Sequence, residues 1–210
     1  MIGVLDYGAG NLGSVMNAVR RIGGSAQFIR GPDELSPKGP YEKIIFPGDG
    51  HFATAMASLK KTGYDKAIRE WIQADKPFLG ICIGLQALFD ASEENLPGLD
   101  GTVPGLSVIA GSVKRFPGKK IPQIGWNSTQ SKNHSALFKG LPPQVFFYYI
   151  HSYYAEPQSQ AVTAAQTEYY LPYCAAVERG ALGAVQFHPE KSGILGLRLL
   201  ANWAGIDYAG

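Results

Sequence analysis

The sequence has few cysteines, no cluster of basic residues and no long apolar run. Its two cysteines, Cys82 and Cys174, are too few for a disulfide framework and lack the spacing of metal ligands. A net charge of +2 without a Lys/Arg block gives no electrostatic reason to expect nucleic acid or an anionic membrane as a partner. The chain also lacks a signal-peptide pattern and the ~18 consecutive apolar residues of a membrane span. These absences indicate a cytoplasmic protein with free thiols that binds small molecules or proteins.

Apolar strand candidates alternate with helical stretches in the first half of the chain, which predicts a parallel sheet covered on both faces. These elements are expected over residues 2–5, 14–22, 27–29, 44–46, 52–59, 64–74, 78–82 and 85–91. Shorter strands separated by Gly and Pro predict an antiparallel flank on the same sheet. They are expected over residues 107–116, 145–154, 162–166, 174–177 and 184–187, before a last helix over about 192–203. Without linker or repeat, residues 1–210 are expected to form one α/β domain, with a mostly parallel sheet flanked by helices.

A glycine triplet follows the first strand candidate, in the stretch DYGAGNLGS. Gly8, Gly10 and Gly13 have the G-x-G-x-x-G spacing of a loop that holds a dinucleotide pyrophosphate at a helix N-terminus. That function also requires an acidic residue about 20 positions further on, where the sequence instead reads FIR, ending at Arg30. Glycines at a tight turn explain the triplet without a ligand, so a nucleotide-dependent oxidoreductase is only one alternative.

A cysteine follows a predicted buried strand in KPFLGICIGLQALFDAS. Gly80 and Gly84 flank Cys82 in a G-x-C-x-G pattern, the cysteine form of the nucleophile elbow. Small neighbours permit the strained turn, the following helix would favour the thiolate, and the amide of Ile83 would point toward an oxyanion. A lone buried cysteine is more often structural, so the assignment depends on finding a base.

One histidine of the four has a nearby carboxylate, in the stretch QFHPEKSG. His188 and Glu190 are two residues apart at the end of a strand-like run, and period two places them on one face of an extended chain. Glu190 can then accept from one ring nitrogen while the other faces Cys82, as in a Cys–His–Glu triad. In α/β-hydrolases the carboxylate precedes the histidine, so the chain order argues against that fold.

Six segments together resemble the triad-type, class I glutamine amidotransferases, and in particular the glutaminase subunits of imidazole-glycerol-phosphate synthases. They are DYGAGN, PGDGHFATAM, GICIGLQALF, IGWN, YYIHSYY and QFHPEKSG, and they span essentially the whole chain. The resemblance implies a flavodoxin-like, three-layer fold that hydrolyses glutamine through a thioester on Cys82, with His188 as base and acid and Glu190 holding the imidazole. It implies no cofactor or metal. It also implies a heterodimer with a (β/α)₈-barrel cyclase, which uses the ammonia to make imidazole glycerol phosphate and an aminoimidazole carboxamide ribotide in histidine biosynthesis.

The resemblance assigns further residues to the oxyanion hole, to glutamine binding and to the partner interface. The oxyanion set is Gly48, Asp49, Gly50 and Ile83. The glutamine-binding set is Gly50, Gln86, Glu94, His151, Ser152 and Tyr153. The interface set is Asn11, Trp126, Tyr148 and Lys191, and the glycine loop would lie at the same docking face. Asp49 replaces a small apolar residue usual in the family, Gln123 stands where many members carry His, and the alternating pattern around His151 favours packing over catalysis.

Two alternatives stay open beside this assignment. Another triad glutaminase, of the anthranilate or aminodeoxychorismate synthase type, would fit DYGAGN and IGWN less well. A non-catalytic docking subunit of the same fold would not need Cys82, His188 and Glu190, all of which are present.

The acidic side chain at position 49 gives a testable prediction. We expect Asp49→Val to leave glutamine hydrolysis largely intact, because the donors of an oxyanion hole here are backbone amides that tolerate a change of side chain. Ammonia release from glutamine measures this. A loss of ~100-fold, the scale of removing one oxyanion donor, would contradict the assignment.

Overall fold

The structure, a computed structural model, describes residues 1–8, 11–132 and 134–208. Gly10 of the glycine triplet lies outside the described residues. The helices are α1 (Leu12–Arg21), α2 (Phe52–Thr62), α3 (Tyr64–Gln73), α4 (Ile83–Gln86) and α5 (Gly193–Ala204). The first strands are β1 (Ile2–Leu5), β2 (Ala26–Ile29), β3 (Lys43–Gly48), β4 (Phe78–Cys82), β5 (Phe89–Ser92), β6 (Val103–Pro104) and β7 (Ile109–Arg115). The later strands are β8 (Gln123–Ser131), β9 (Gln144–His151), β10 (Tyr153–Pro157), β11 (Thr163–Tyr169), β12 (Leu171–Arg179) and β13 (Leu182–Val185).

The strands form one mixed sheet with a parallel half and an antiparallel half. Parallel pairing joins β2, β1, β3, β4 and β13 in that order. Antiparallel pairing continues from β13 through β12 and β10 to β7, and a branch leads from β12 through β11 and β8 to β9. The predicted α/β fold is therefore present, with an extensive antiparallel part. In the described part of the chain, no helix combines the length and the apolar character needed to cross a bilayer.

Alternating side chains of the central strands build a core on each face of the sheet. Ile45 and Leu79 pack in the cluster that includes α1 and α5. Ile44, Phe46 and Phe78 point the other way and pack in the cluster that includes α2 and α3. Both clusters are buried, so these strands are covered on each side, as the continuous apolar runs predict.

Two predicted elements are wrong in detail. The helix expected over residues 85–91 ends at Gln86, and β5 begins at Phe89. The carbonyls of Ala87 and Leu88 accept instead from backbone amides of residues 106, 108 and 109, so tertiary bonds replace the helical ones. The single strand expected over 145–154 is two strands, because β9 pairs with β8 whereas β10 pairs with β7 and β12. Strand β8, which contains IGWN, was not among the predicted strands.

Close packing explains the two glycines that flank Cys82. A Cβ added at Gly84 would lie 2.1 Å from the carbonyl oxygen of Phe46 in β3. A Cβ added at Gly80 would lie 2.5 Å from the carbonyl oxygen of Gly84. Gly13, the third glycine of the triplet, differs because a Cβ there would meet no atom within 4 Å. The glycine at that position of a dinucleotide-binding loop is needed for close helix packing, so this contrast disfavours a dinucleotide site.

The close packing at Gly84 and the open space at Gly13 predict opposite effects of an alanine substitution on stability. We expect Gly84→Ala to lower the free energy of unfolding by about 1–3 kcal/mol or more, because the new methyl group overlaps backbone. Denaturation in urea measures this. Gly13→Ala is the matched control, and it should change stability by less than about 1 kcal/mol, in the stabilising direction, because Ala favours a helix. Equal effects of the two changes would contradict the packing explanation.

Candidate active site

Three neighbouring parallel strands bring the candidate residues to one edge of the sheet. Gly48, at the end of β3, lies level with Cys82, at the end of β4. Val185, at the end of β13, lies level with Ile81 of β4. Residues that follow β13 therefore continue beside Cys82, and His188 is reached three positions later. The carboxyl ends of parallel strands are where ligands bind in open α/β sheets.

Cys82 occupies a strained turn between β4 and α4. Its backbone has φ 55° and ψ −104°, a conformation that L-residues rarely adopt and that costs about 1–3 kcal/mol. Its side chain is buried, with Sγ 3.6 Å from Nε2 of Gln186 and 4.0 Å from the carbonyl oxygen of Ile150. Helix α4 has only four residues, so its N-terminus contributes less to the thiol than the longer predicted helix would. Cys174 is also free and buried, but in the cluster on the other face of the sheet.

His188 and Glu190 form a buried pair. Nδ1 of His188 lies 2.8 Å from Oε1 of Glu190. The sequence pattern predicts this pair from an extended backbone that places both side chains on one face. That explanation is wrong, because residues Pro189–Lys191 form a 3-10 turn. The main chain of His188 is fixed by two bonds. Its N–H donates to the carbonyl of Tyr148 at 2.9 Å, and its carbonyl accepts from Oγ of Ser192 at 2.6 Å.

Charge governs the protonation of His188. Burial by itself would lower the pKa of His188, but the interaction with Cys82 and the hydrogen-bonded carboxylate of Glu190 raise it from 6.5 to about 10. Nδ1 is taken by Glu190, so Nε2 is the nitrogen that faces the sulfur. Nε2 has no hydrogen-bond partner of standard geometry among the described residues. The surroundings of His188 therefore favour its protonated form at neutral pH.

A cavity of about 270 Å³ opens beside Cys82. This volume lies just below the range of about 300–1,000 Å³ that is usual for ligand pockets. Its lining includes Asp49, Gly50, Cys82 and Ile83, together with Gln86, Glu94, Pro122, Ile150, His151, Ser152 and Tyr153. All residues of the predicted glutamine-binding set therefore line one space. Of the predicted oxyanion set, Gly48 is not in this lining, and a Cβ there would instead lie 2.6 Å from Cβ of Ile83.

Glu94 and His151 have well-defined structural contacts in the cavity wall. Oε2 of Glu94 accepts from the backbone N–H of Phe52 at 2.9 Å, which caps α2 where His51 supplies no side-chain cap. Burial raises the pKa of Glu94, against the opposing effects of that hydrogen bond and of His51. His151 contacts the carbonyl of Tyr153 through Nδ1 at 2.7 Å and the hydroxyl of Tyr173 through Nε2 at 3.2 Å. Burial lowers the pKa of His151 to about 4, which the charge of His188 reinforces and the bond to Tyr153 opposes.

The predicted interface residues lie on the surface near this edge. Trp126 in β8 is 57% exposed and contacts Tyr148 of β9 edge-on, with ring centroids 6.3 Å apart. Asn11 is exposed and caps α1 by accepting from the backbone N–H of Ser14 at 3.4 Å. Lys191 is half-buried in the turn after His188. The outer face of the β8–β9 ribbon is apolar, with exposed side chains at Ile124, Trp126, Phe146 and Ile150.

The motif QFHPEKSG is identified from the sequence, but its first residue, Gln186, is assigned no role in the site there. Gln186 is fully buried and contacts both Cys82 and Gln86. The available signal was a polar residue in the otherwise apolar run AVQF, two positions before His188, where period two places both on one side. Pro122 and Ile150 of the cavity lining were also missed, and nothing in their residue types distinguishes them.

Comparison with known proteins assigns the chain to a family. The family described as "Glutamine amidotransferase class-I" matches residues 3–204. A protein of Synechococcus sp. (strain JA-2-3B'a(2-13)), described as imidazole glycerol phosphate synthase subunit HisH, is 45% identical over 96% of this chain and 91% of its own length. A protein of Moorella thermoacetica with the same description is 44% identical over 98% of this chain and 94% of its own length. The chain belongs to the class-I glutamine amidotransferases, in the HisH family.

Solved structures share the fold of this amidotransferase. A structure of PurLQS from Thermotoga maritima has a TM-score of 0.77 at 16% identity and covers 97% of each chain. A crystal structure of a glutamine amidotransferase has a TM-score of 0.73 at 21% identity and covers 98% of this chain and 99% of the other. The α/β fold class is confirmed, and the HisH relatives confirm the resemblance seen in the six sequence motifs.

The two buried histidines are expected to titrate far apart. In an NMR titration of the imidazole rings, His188 should stay protonated until the pH approaches about 10, because its pKa is raised. In Cys82→Ser its pKa should fall, because Cys82 is the largest of the causes that raise it. His151, with a pKa lowered to about 4, should stay neutral through the neutral range in both proteins and serves as the internal control. A His188 pKa near 6.5 in both proteins would refute the assigned charge arrangement.

Proposed function

We propose that this chain hydrolyses L-glutamine to glutamate and ammonia and supplies the ammonia to a (β/α)₈-barrel cyclase, as the glutaminase subunit of an imidazole-glycerol-phosphate synthase. The observation that carries the proposal is the buried His188–Glu190 pair beside Cys82, where a small cavity opens. Family membership supports the same activity, since the HisH relatives are named as subunits of that synthase. The free thiols of both cysteines support a cytoplasmic location.

In the proposed reaction Cys82 is the nucleophile. Its sulfur bonds to the side-chain carbonyl carbon of glutamine, and the carbonyl electron pair moves onto oxygen. His188 already holds the proton of the Cys82 thiol and delivers it to the nitrogen as the C–N bond breaks, so ammonia leaves and a γ-glutamyl thioester stays on Cys82. Water then adds to the thioester carbon, with its proton passing to His188. The C–S bond breaks, and the product leaves as glutamate after its new carboxyl group loses a proton to solvent. The sulfur is then again beside the protonated His188. Glu190 holds the imidazole throughout.

The walls of the cavity supply the remaining roles. Backbone amides of Ile83 and of the turn at Asp49 and Gly50 face the developing oxyanion, and Gly48 shapes that turn by its contact with Ile83. The carboxylate of Glu94 pairs with the α-ammonium group of the substrate. Backbone amides of Ser152 and Tyr153 bind its α-carboxylate. His151 and Gln86 form the wall, and His151 does so as a neutral ring.

The apolar face of the β8–β9 ribbon is the proposed docking surface for the cyclase. Trp126 and Tyr148 lie on it, and Asn11 and Lys191 complete the set from neighbouring turns. The face is connected to the catalytic base, because the carbonyl of Tyr148 accepts from the backbone N–H of His188. A partner seated there contacts the strand that holds the base.

Ammonia release from glutamine tests the proposal. We expect little turnover by the purified chain alone and strong turnover when it is mixed with a cyclase barrel carrying its phosphorylated ligand. A glutamine-like electrophile should modify Cys82 and not Cys174, whose pKa burial raises to about 11 so that its thiol stays protonated. Peptide mass spectrometry locates the modification.

Two variants are the controls for this experiment. Cys82→Ala should abolish turnover in both conditions while still binding the cyclase. Trp126→Ala should weaken the stimulation by the cyclase, because it removes the largest exposed side chain of the ribbon. Cyclase binding without ammonia release would favour a non-catalytic docking subunit. Stimulation by an anthranilate or aminodeoxychorismate synthase partner in place of the cyclase would favour the other triad glutaminase.

A further inference from the structure

A chain of buried side-chain amides leads from the cavity wall to the sulfur of Cys82. Nε2 of Gln86 donates to the carbonyl of Tyr153 at 2.9 Å and to Oε1 of Gln186 at 3.0 Å. Nε2 of Gln186 then lies 3.6 Å from Sγ of Cys82. Gln86 and Gln186 are 2% and 0% exposed, so neither amide exchanges these contacts for water.

One backbone carbonyl fixes the direction of every bond in this chain. The carbonyl of Tyr153 can only accept, so the amide atom of Gln86 next to it must be nitrogen. That same nitrogen faces Gln186, so the near atom of Gln186 must be oxygen. The other end of the Gln186 amide is then nitrogen, and this end faces the sulfur. Inverting either amide would place two acceptors or two donors against each other, which a buried site does not tolerate.

We propose that Gln186 is a positioning residue that holds an N–H donor against the Cys82 sulfur and so stabilises its anionic form. The proposal rests on the proposed function only for the role of Cys82 as nucleophile. A donor on the sulfur favours the charged state over the neutral thiol, since hydrogen bonds to an ionised acceptor are the stronger ones. The place of Gln186 in the fold makes this contact reliable, because β13 pairs with β4 in a register that sets the residue after Val185 beside Cys82.

The pH dependence of alkylation at Cys82 tests the proposal without using glutamine. Iodoacetamide reacts with the thiolate, so its rate against pH reports the ionisation of this sulfur. We expect Gln186→Met, which keeps most of the volume and removes the donor, to move the midpoint upward by about half to one pH unit. Gln123→Met is the matched control, because Gln123 is also buried but contacts the hydroxyl of Tyr173. It should leave the midpoint unchanged.

Two results would overturn the proposal. One is an unchanged midpoint in folded Gln186→Met, and the other is an equal shift in Gln123→Met, which would indicate a general effect on packing. If Gln186→Met does not fold, a measurement on the unaltered protein still tests the proposal. The side-chain amide signal of Gln186 should then change with the same midpoint as the alkylation rate, and a signal that does not respond to pH overturns the proposal. Failure of glutamine turnover would refute the proposed function and leave these measurements interpretable.

Discussion

The lack of a side chain at position 84 is the constraint on which the rest of the site depends. Gly84 packs its backbone directly against the carbonyl of Phe46, and Gly80 packs beneath Gly84 in the same way. This close approach lets α4 begin at once after Cys82, and it holds the cysteine backbone at a positive φ. The strain is compensated by burial, since Phe46 and Ile83 are themselves buried core residues. A thiol is thereby held at the sheet edge by packing of the main chain.

Strand order then brings distant parts of the sequence to this thiol. β3, β4 and β13 are neighbours, so residues near positions 48, 82 and 188 meet although more than a hundred residues separate the last two. The antiparallel half contributes as well. β9 supplies the carbonyls of Tyr148 and Ile150, and the junction of β9 and β10 supplies Ser152 and Tyr153. The parallel half positions the reacting groups, and the antiparallel half closes the cavity around them.

Local patterns predicted much of this arrangement, and long-range contacts decided the remainder. The pairing of His188 with Glu190 follows from two residues of sequence, although the backbone between them is a turn and not a strand. The helix after Cys82 is shorter than predicted, because carbonyls beyond its end accept from backbone amides of residues 106–109. These long-range bonds cannot be predicted from local helix propensity. The same holds for Gln186. Its identity as a buried polar residue is visible in the sequence, but its contact with the sulfur depends on the register of β13 with β4.

The separation of the two thiols has a consequence for redox chemistry. Cys82 and Cys174 belong to hydrophobic clusters on opposite faces of the sheet, so the folded chain cannot join them in a disulfide. A peroxide small enough to enter the cavity would convert Cys82 to a sulfenic acid that no second cysteine of this chain can resolve. Repair at that stage falls to small external reductants such as glutathione-like thiols, and prolonged exposure leads to the irreversible sulfinic form.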